Sequence, residues 1–155
     1  MNLTENIKQF FLRQGFVVIS TIGTDGFPHN SCKGIVKIKS NGKIYLIDLY
    51  GEKTYENLRN NPNMCIMAVD ENEFKGYCLK GKAKEVSEDE IDPEILDDWK
   101  EKLHGRITDR IINSVRGKKG HPSHPEASMP QPKHLIIMEA SEIIDLTPDH
   151  IKNTD

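Results

Sequence analysis

Short apolar runs, separated by turn signals, divide the first half of this chain into predicted β-strands. Some runs are rich in β-branched residues, and others alternate apolar with polar positions at the period of two that a strand requires. The predicted strands are residues 16–22, 29–39, 43–49, 64–70 and 77–86. Asp25-Gly26 and Asn41-Gly42 are hairpin signals between them. Short strands joined mostly by tight turns predict an antiparallel barrel.

Helical periodicity in the first half is confined to two short segments. Residues 4–14 place their apolar side chains on one side, and Thr4 can cap the first turn. A second short helix is predicted to start near Lys53-Thr54 and to stop at Asn61-Pro62, because the residue before a proline disfavours helical backbone. Both segments are too short to change the prediction of a mainly β fold with helices.

The second half is organised differently. A helix is predicted from Pro93 to about Leu103, followed by a break at His104-Gly105 and a second amphipathic helix that includes Val115. Residues 116–133 hold four prolines and two glycines and are predicted to form a loop. Residues 134–140 return to strand character, and residues 143–146 are expected to extend that strand after a bulge or a kink. We therefore expect one domain over residues 1–155, with a helical and Pro-rich insertion at about 87–133.

Composition excludes several classes of protein. The formal net charge is −3, and the basic residues are spread along the chain, so a nucleic-acid partner is not expected. No apolar run is long enough to span a bilayer, and the N-terminal segment does not resemble a secretory signal. The three cysteines show no Cys-x-x-Cys spacing, which favours reduced thiols in a cytoplasmic protein.

The strand over residues 44–49 is followed by a glycine turn and then by the short helix. A strand that feeds a helix in this way presents free backbone N–H groups, which together with the helix dipole favour an anion such as a phosphate. Lys53 adds a full positive charge and Thr54 adds a hydroxyl donor. An ordinary N-capped helix with a solvated lysine would give the same local pattern, so this motif alone leaves both interpretations open.

Several segments recur together in the expected order. They are residues 19–29, 30–34, 44–49, 53–62 and 79–86, and their most specific part is Asp-Gly-x-Pro followed by Lys-Thr-x-x-Asn-Leu-x-x-Asn-Pro. This ordered set resembles the flavin-binding split barrels of the pyridoxamine-phosphate-oxidase-like family. The resemblance implies a six-stranded antiparallel split barrel that pairs into a homodimer. It also implies one FMN per subunit, bound at the subunit interface.

The resemblance further implies which residues bind the cofactor. Lys53 and Thr54 would hold the phosphate, and the strand edge over residues 30–33 would line the isoalloxazine ring through backbone groups. A positive group near the ring, for which Lys33 is the hypothesis, would raise the flavin potential. The implied cofactor-binding residues are Asn30, Ser31, Cys32, Lys33, Asp48, Leu49, Tyr50, Lys53 and Thr54.

Some residues have structural interpretations instead of functional ones. Asn57 is expected to brace the short helix, Trp99 to anchor its own helix in the core, and Cys32 to be a small buried filler. No catalytic acid or base is predicted, and no metal site either, because the histidines around the proline-rich loop lack cysteine or acidic partners at ligand spacing. Those histidines, expected to be solvated, are His121, His124 and His134.

The expected function is that of an FMN-binding flavoprotein, an oxidoreductase of this family acting on an unknown small molecule. Glu52 stands where many relatives carry arginine or serine, and it is expected to face solvent. The chain also lacks the arginine-rich end of true pyridoxamine-phosphate oxidases, so that activity is not expected. One alternative is a flavin-binding or electron-transfer protein without a dedicated substrate. Another is a barrel that binds a different planar cofactor, such as haem or a deazaflavin, or that binds none and acts as an interaction module.

Overall fold

Six antiparallel strands close into a barrel in the computed structural model, which describes residues 1–124 and 131–152. The strands are β1 Val17–Ile22, β2 Pro28–Ile38, β3 Lys43–Asp48, β4 Asn63–Asp70, β5 Lys75–Ser87 and β6 His134–Asp145. Their order around the barrel is β1-β2-β3-β6-β5-β4. The predicted fold, a six-stranded antiparallel split barrel with helices, is confirmed.

Helices lie at the ends and on one side of the barrel. Within the described residues they are α1 Glu5–Leu12, α2 Lys53–Asn60, α3 Pro93–Val115 and α4 Asp149–Lys152. Helix α1 packs Phe10 and Phe11 into the barrel core, and α2 contacts β1, β2 and β5. The short helix predicted from Lys53 is therefore present, and it packs against three strands of the barrel.

Helix α3 runs without interruption, so the predicted break at His104-Gly105 is wrong. An exposed glycine inside a helix costs only about 1 kcal/mol relative to alanine, which is too little to end a helix that has a packed face. The buried residues of that face, at helical spacing, are Ile95, Trp99 and Leu103. Trp99 is 5% exposed, which confirms its predicted role as an anchor.

Two apolar layers hold these elements together. The barrel interior is filled by side chains from all six strands that the structure describes and from α1; its largest members include Phe11, Ile19, Ile44, Leu46, Ile66, Leu79, Ile136 and Met138. A second layer lies outside β2, β3 and β6, beneath α3, and contains Val36, Tyr45, Ile47 and Leu135. Lys37 on β2 also binds α3, through Glu94 at 2.7 Å and Asp98 at 2.8 Å. The α3 insertion is thus part of the domain.

Gly81 allows β5 and β6 to approach each other closely. The register between these strands shifts at Lys80-Gly81, and β6 continues past the shift to Asp145, as the predicted bulge requires. A Cβ atom at Gly81 would collide with the Glu139 carbonyl oxygen and lie 3.0 Å from Ala140 Cα. Glycine is therefore required here by the neighbouring backbone.

One end of the barrel interior is charged. Lys33 on β2, Asp48 on β3, Glu85 on β5 and His134 on β6 each lie two residues from a buried core residue of the same strand. Because side chains alternate along a strand, all four are directed toward the barrel interior. These four residues are called the charged barrel end below, and α2 lies over it.

Candidate functional site

A cavity of about 400 Å³ opens between the edge of β2, the end of β3 and helix α3. It brings together four of the predicted site residues, Cys32, Lys33, Leu49 and Tyr50. The remaining lining residues are Gly15, Phe16, Gly34, Ile47, Arg106, Asp109, Arg110 and His124. Strand backbone, apolar side chains and cations thus meet in one cleft, which is the usual composition of a small-molecule site.

Three consecutive residues of β2, Cys32, Lys33 and Gly34, line this cleft. Cys32 is exposed and lines the cavity, so its predicted role as a buried filler is wrong: it falls on the outer face of β2, while its neighbours Ser31 and Lys33 point inward. Asn30 also lies on the outer face, where its Oδ1 accepts a hydrogen bond of 2.6 Å from Ser20 Oγ. The predicted edge over residues 30–33 therefore offers both side chains and backbone groups to a neighbour.

The start of α2 lies beside the same strand. Thr54 is buried, and its Oγ1 lies 3.2 Å from Ser31 Oγ on β2. Within the described part of the chain, no side chain caps the first N–H groups of α2, and Glu52 at the N-cap position is exposed as predicted. Lys53 is half exposed and binds Glu56 at 2.9 Å. The N–H groups, two hydroxyls and a half-exposed cation form an arrangement suited to a phosphate.

A hydrogen bond from a buried side-chain amide fixes the position of α2. Asn57 is fully buried, and its Nδ2 donates a hydrogen bond of 3.0 Å to Thr21 Oγ1 on β1. This contact confirms that Asn57 braces the short helix. The helix start is consequently held against the barrel by a contact that does not use the residues proposed to bind an anion.

Asp48 organises the turn between β3 and α2. Its carboxylate is fully buried; Oδ1 lies 2.8 Å from Lys33 Nζ and accepts hydrogen bonds from the Tyr50 and Gly51 N–H groups at 3.1 and 3.2 Å. Gly51 has a positive φ of 59°, which favours glycine. Burial alone would raise the pKa of Asp48, but Lys33 and the two N–H groups together hold it below its usual range. The Asp48 side chain shapes the turn from inside and does not line the cavity.

Sequence reasoning missed Glu85 and the position of His134. Burial, and after it the neighbouring Asp48 carboxylate, raises the pKa of Glu85 to about 8. His134 is only partly solvated: it begins β6 opposite Asp48 and stacks on Tyr55 with ring centroids 4.6 Å apart. The available signal was strand phase, because Glu85 follows Leu79, Gly81 and Ala83 at the period of two.

The raised pKa of Glu85 predicts how the free energy of unfolding depends on pH. In the folded chain it keeps its proton up to about pH 8, whereas an unfolded glutamate loses it near pH 4–5, so the free energy of unfolding falls as pH rises between about 5 and 8. We expect Glu85→Gln to remove this fall, measured by urea unfolding across that range. The exposed control Glu88→Gln should retain it. Equal slopes for wild type and Glu85→Gln would contradict the assignment.

Helix α3 supplies cavity residues that the sequence did not point to. The Arg106 guanidinium lies over Gly34, within 3.1 Å of where a Cβ atom would stand, and its Nη1 donates to the Gly15 carbonyl at 3.4 Å. Arg110 and Asp109 line the same cleft. The predicted insertion therefore forms one wall of the cavity. Among the described residues, no group of three or more His, Cys, Asp or Glu side chains could hold a metal ion.

The barrel, the cleft along β2 and the uncapped start of α2 together define a class of protein. Comparison with known families tests which class this is. The family model described as Pyridoxamine 5'-phosphate oxidase matches residues 3–147, so the chain belongs to that family. A search of curated proteins gave no match. None of the described helices is both long enough and apolar enough to cross a membrane.

Solved structures share the fold. HupZ from Group A Streptococcus superposes with a TM-score of 0.62 at 16% identity, covering 94% of each chain. An F420 reductase gives 0.55 at 12% identity, covering 92% of this chain and 98% of its own. HutZ, the haem storage protein of Vibrio cholerae, gives 0.54 at 20% identity, covering 93% and 94%. At these identities the likeness concerns the fold alone.

Proposed function

We propose that this protein is a cytoplasmic FMN-binding flavoprotein of the pyridoxamine 5'-phosphate oxidase family, an oxidoreductase that acts on a small molecule as a homodimer. The observation that carries the proposal is that neighbouring residues of the β2 edge meet both features: Cys32 and Lys33 line the cavity, and Ser31 contacts Thr54 at the uncapped start of α2. The free state of all three cysteines supports a reducing, cytoplasmic setting.

The described residues fit the three parts of FMN. The phosphate is assigned to the N–H groups at the start of α2, with Lys53, Thr54 and Ser31 around it. The ring is assigned to the cavity, against the edge formed by residues 30–33. The ribityl chain then lies near Leu49 and Tyr50, on the turn that the Asp48 carboxylate holds.

This fit indicates which roles belong to the bound FMN and which belong to the protein chain. Bound FMN supplies the redox chemistry, because it can accept electrons from a donor and pass them to an acceptor. The chain binds the phosphate, orients the ring against β2 and shields one side of it with α3. We assign no side chain a role as catalytic acid or base. Lys33, beside the ring edge, would stabilise negative charge on the reduced flavin.

The exposed apolar surface supports a homodimer. Met67 and Val69, two residues apart on one face of β4, are 38% and 56% exposed, and Ile22 at the far end of the paired strand β1 is 38% exposed. Neighbouring exposed apolar side chains commonly mark an interaction surface. We propose that a second copy of the chain covers this face and completes the FMN site at the subunit interface. Sedimentation analysis of the FMN-loaded protein tests this directly.

Other cofactors with a planar ring are the second candidate. His124 lines the cavity, and imidazole is a common haem ligand. The fold is also shared with proteins named as a haem storage protein and an F420 reductase. The visible absorption spectrum and the mass of the small molecule that co-purifies distinguish FMN from haem and from a deazaflavin. Turnover with NADH or NADPH and an acceptor distinguishes an oxidoreductase from an electron-transfer protein without a dedicated substrate.

Lys53→Ala is expected to weaken FMN binding by about 1.5–3 kcal/mol, the usual contribution of a charge-assisted hydrogen bond. The affinity can be measured by titrating apoprotein with FMN and following the quenching of flavin fluorescence. Lys100→Ala is a matched control, because Lys100 also forms an exposed pair with an acid three residues away, Asp97. Unchanged affinity in Lys53→Ala would show that the phosphate binds elsewhere.

A further inference from the structure

The charged barrel end contains two carboxyl groups whose hydrogen bonds are incomplete among the described residues. Asp48 Oδ2 and both carboxyl oxygens of Glu85 are buried, and none has a hydrogen-bond partner among the described residues. Asp48 itself is fully buried. Two carboxylates side by side in a buried site do not both ionise readily, because their repulsion adds to the cost of removing each from water.

We propose that Glu85 is a positioning residue of the cofactor site: its carboxyl group shares one proton with Asp48, and this proton holds Lys33 and the Tyr50-Gly51 turn in place. The proton-sharing rests on the buried oxygens without partners and on the strand register, which places Asp48 and Glu85 on the two strands that flank the start of β6. Its consequence for the cofactor rests on the proposed function. Glu85 would touch neither ring nor phosphate. It would act through Asp48, which binds both Lys33 and the turn.

A single proton satisfies two of the three carboxyl oxygens that lack partners. Asp48 Oδ1 already accepts from Lys33 and from the N–H groups of Tyr50 and Gly51, which leaves Oδ2 without a donor. A protonated Glu85 can donate its O–H to Oδ2. The cluster of Lys33, Asp48 and Glu85 then carries no net charge. When the proton leaves, the cluster carries one negative charge, and two carboxylates compete for the Lys33 ammonium.

The surroundings of Glu85 determine where this proton is lost. Lys33 from β2, Asp48 from β3 and His134 from β6 belong to the charged barrel end, and a groove beside Glu85 is lined by Tyr55 and Arg59 of α2 and by Lys84. Burial and the Asp48 carboxylate oppose ionisation of Glu85, while the Lys33 ammonium favours it. The outcome is a pKa for Glu85 of about 8, so the proton is present at neutral pH and is lost above it.

This proton should also affect the anion at the start of α2. The Tyr50-Gly51 turn leads directly into that helix, so any loosening of the turn reaches the N–H groups proposed to bind phosphate. The negative charge left on the cluster would in addition repel a dianionic phosphate. Affinity for FMN should therefore fall as pH rises through 8, about tenfold between pH 7 and pH 9.

The proton is tested first without any cofactor. In isotope-labelled protein, NMR follows the Glu85 carboxyl carbon and the amide groups of Tyr50 and Gly51 as pH rises. We expect all three to change with one midpoint near 8, and we expect the amide changes to vanish in Glu85→Gln but to persist in Glu88→Gln. A Glu85 that titrates like a free glutamate, or amides that do not follow it, would overturn the proposal. The wild-type titration is decisive even if Glu85→Gln folds poorly.

The cofactor effect is tested second, by titrating FMN into wild type and Glu85→Gln between pH 7 and pH 9. The tenfold loss is expected in wild type, and a change of less than about twofold is expected in Glu85→Gln. The same loss in both proteins would overturn the positioning role. Absence of FMN binding at any pH, combined with amides that follow Glu85, would support the shared proton and refute only the flavin assignment.

Discussion

Gly81→Ala is expected to lower the free energy of unfolding by about 3 kcal/mol or more. The new methyl group would collide with the Glu139 carbonyl oxygen and lie 2.8 Å from the carbonyl carbon of that residue. Both atoms belong to the backbone of β6, so no side-chain rotation can relieve the contact. The two longest strands would have to separate at the bulge where their register shifts. Urea unfolding followed by circular dichroism measures the loss.

Gly105→Ala is the matched control for this prediction. Gly105 lies within α3, and a Cβ atom there would meet nothing within 4 Å. Alanine favours a helix over glycine by about 1 kcal/mol, so this variant should be slightly more stable than wild type. Equal destabilisation by both substitutions would mean that the close approach of β5 and β6 does not determine the cost at Gly81.

Lys33→Met is expected to lower the free energy of unfolding by about 3–5 kcal/mol at pH 8, because it leaves the buried Asp48 carboxylate without its cation. Lys33 has 11% of its side chain exposed, and Asp48 has none. The loss should be smaller at pH 5, since protonating the carboxyl group removes the unpaired charge. Chemical unfolding at the two pH values measures both effects.

Two controls separate charge from packing. Lys37→Met removes a lysine that binds two carboxylates at the surface, and exposed pairs contribute only about 0–1 kcal/mol. Asp48→Asn combined with Lys33→Met should recover part of the loss, since the double variant buries no unpaired charge. A cost below about 1 kcal/mol for Lys33→Met, equal to that of Lys37→Met, would contradict the electrostatic explanation.

The same Lys33 variant tests the proposed ring site. In FMN-loaded protein, removing this cation should lower the midpoint potential of the flavin, because the reduced anionic ring loses a stabilising charge. An unchanged midpoint potential of the flavin would show that Lys33 stabilises only the Asp48 carboxylate and not the reduced ring. Stability and potential report different partners of Lys33, so the two measurements distinguish a structural role from a redox one.

Strand positions were predictable because they depend on local pattern. The alternation in β2 and the Asn41-Gly42 turn predicted the first hairpins to within about two residues, as the observed bounds show. The prediction was wrong where it relied on a local signal and did not take tertiary packing into account. Gly105 was expected to end a helix, but burial of Trp99 and Leu103 on the same helix outweighs the small cost of one glycine.

The candidate site was predictable only in part. The start of α2 could be recognised because its strand, turn and helix are contiguous in sequence, and its assignment to FMN remains a prediction. The cavity wall formed by Arg106 could not be recognised from the sequence. Arg106 and Gly34 are brought together only by the packing of α3 on the outer apolar layer. Cys32 was misplaced for a related reason: its face of β2 depends on which side the barrel closes.

The sequence by itself determined the strands, their turns, the helix that follows β3 and the family resemblance, because each of these depends on residues that are neighbours along the chain. Only the tertiary structure decided that Lys33, Asp48, Glu85 and His134 meet at one end of the barrel. The period of two gives the face on which a side chain lies. It does not tell which other strand lies beside that face once the barrel has closed. The protonation of a buried charged group depends on the side chains that this other strand supplies.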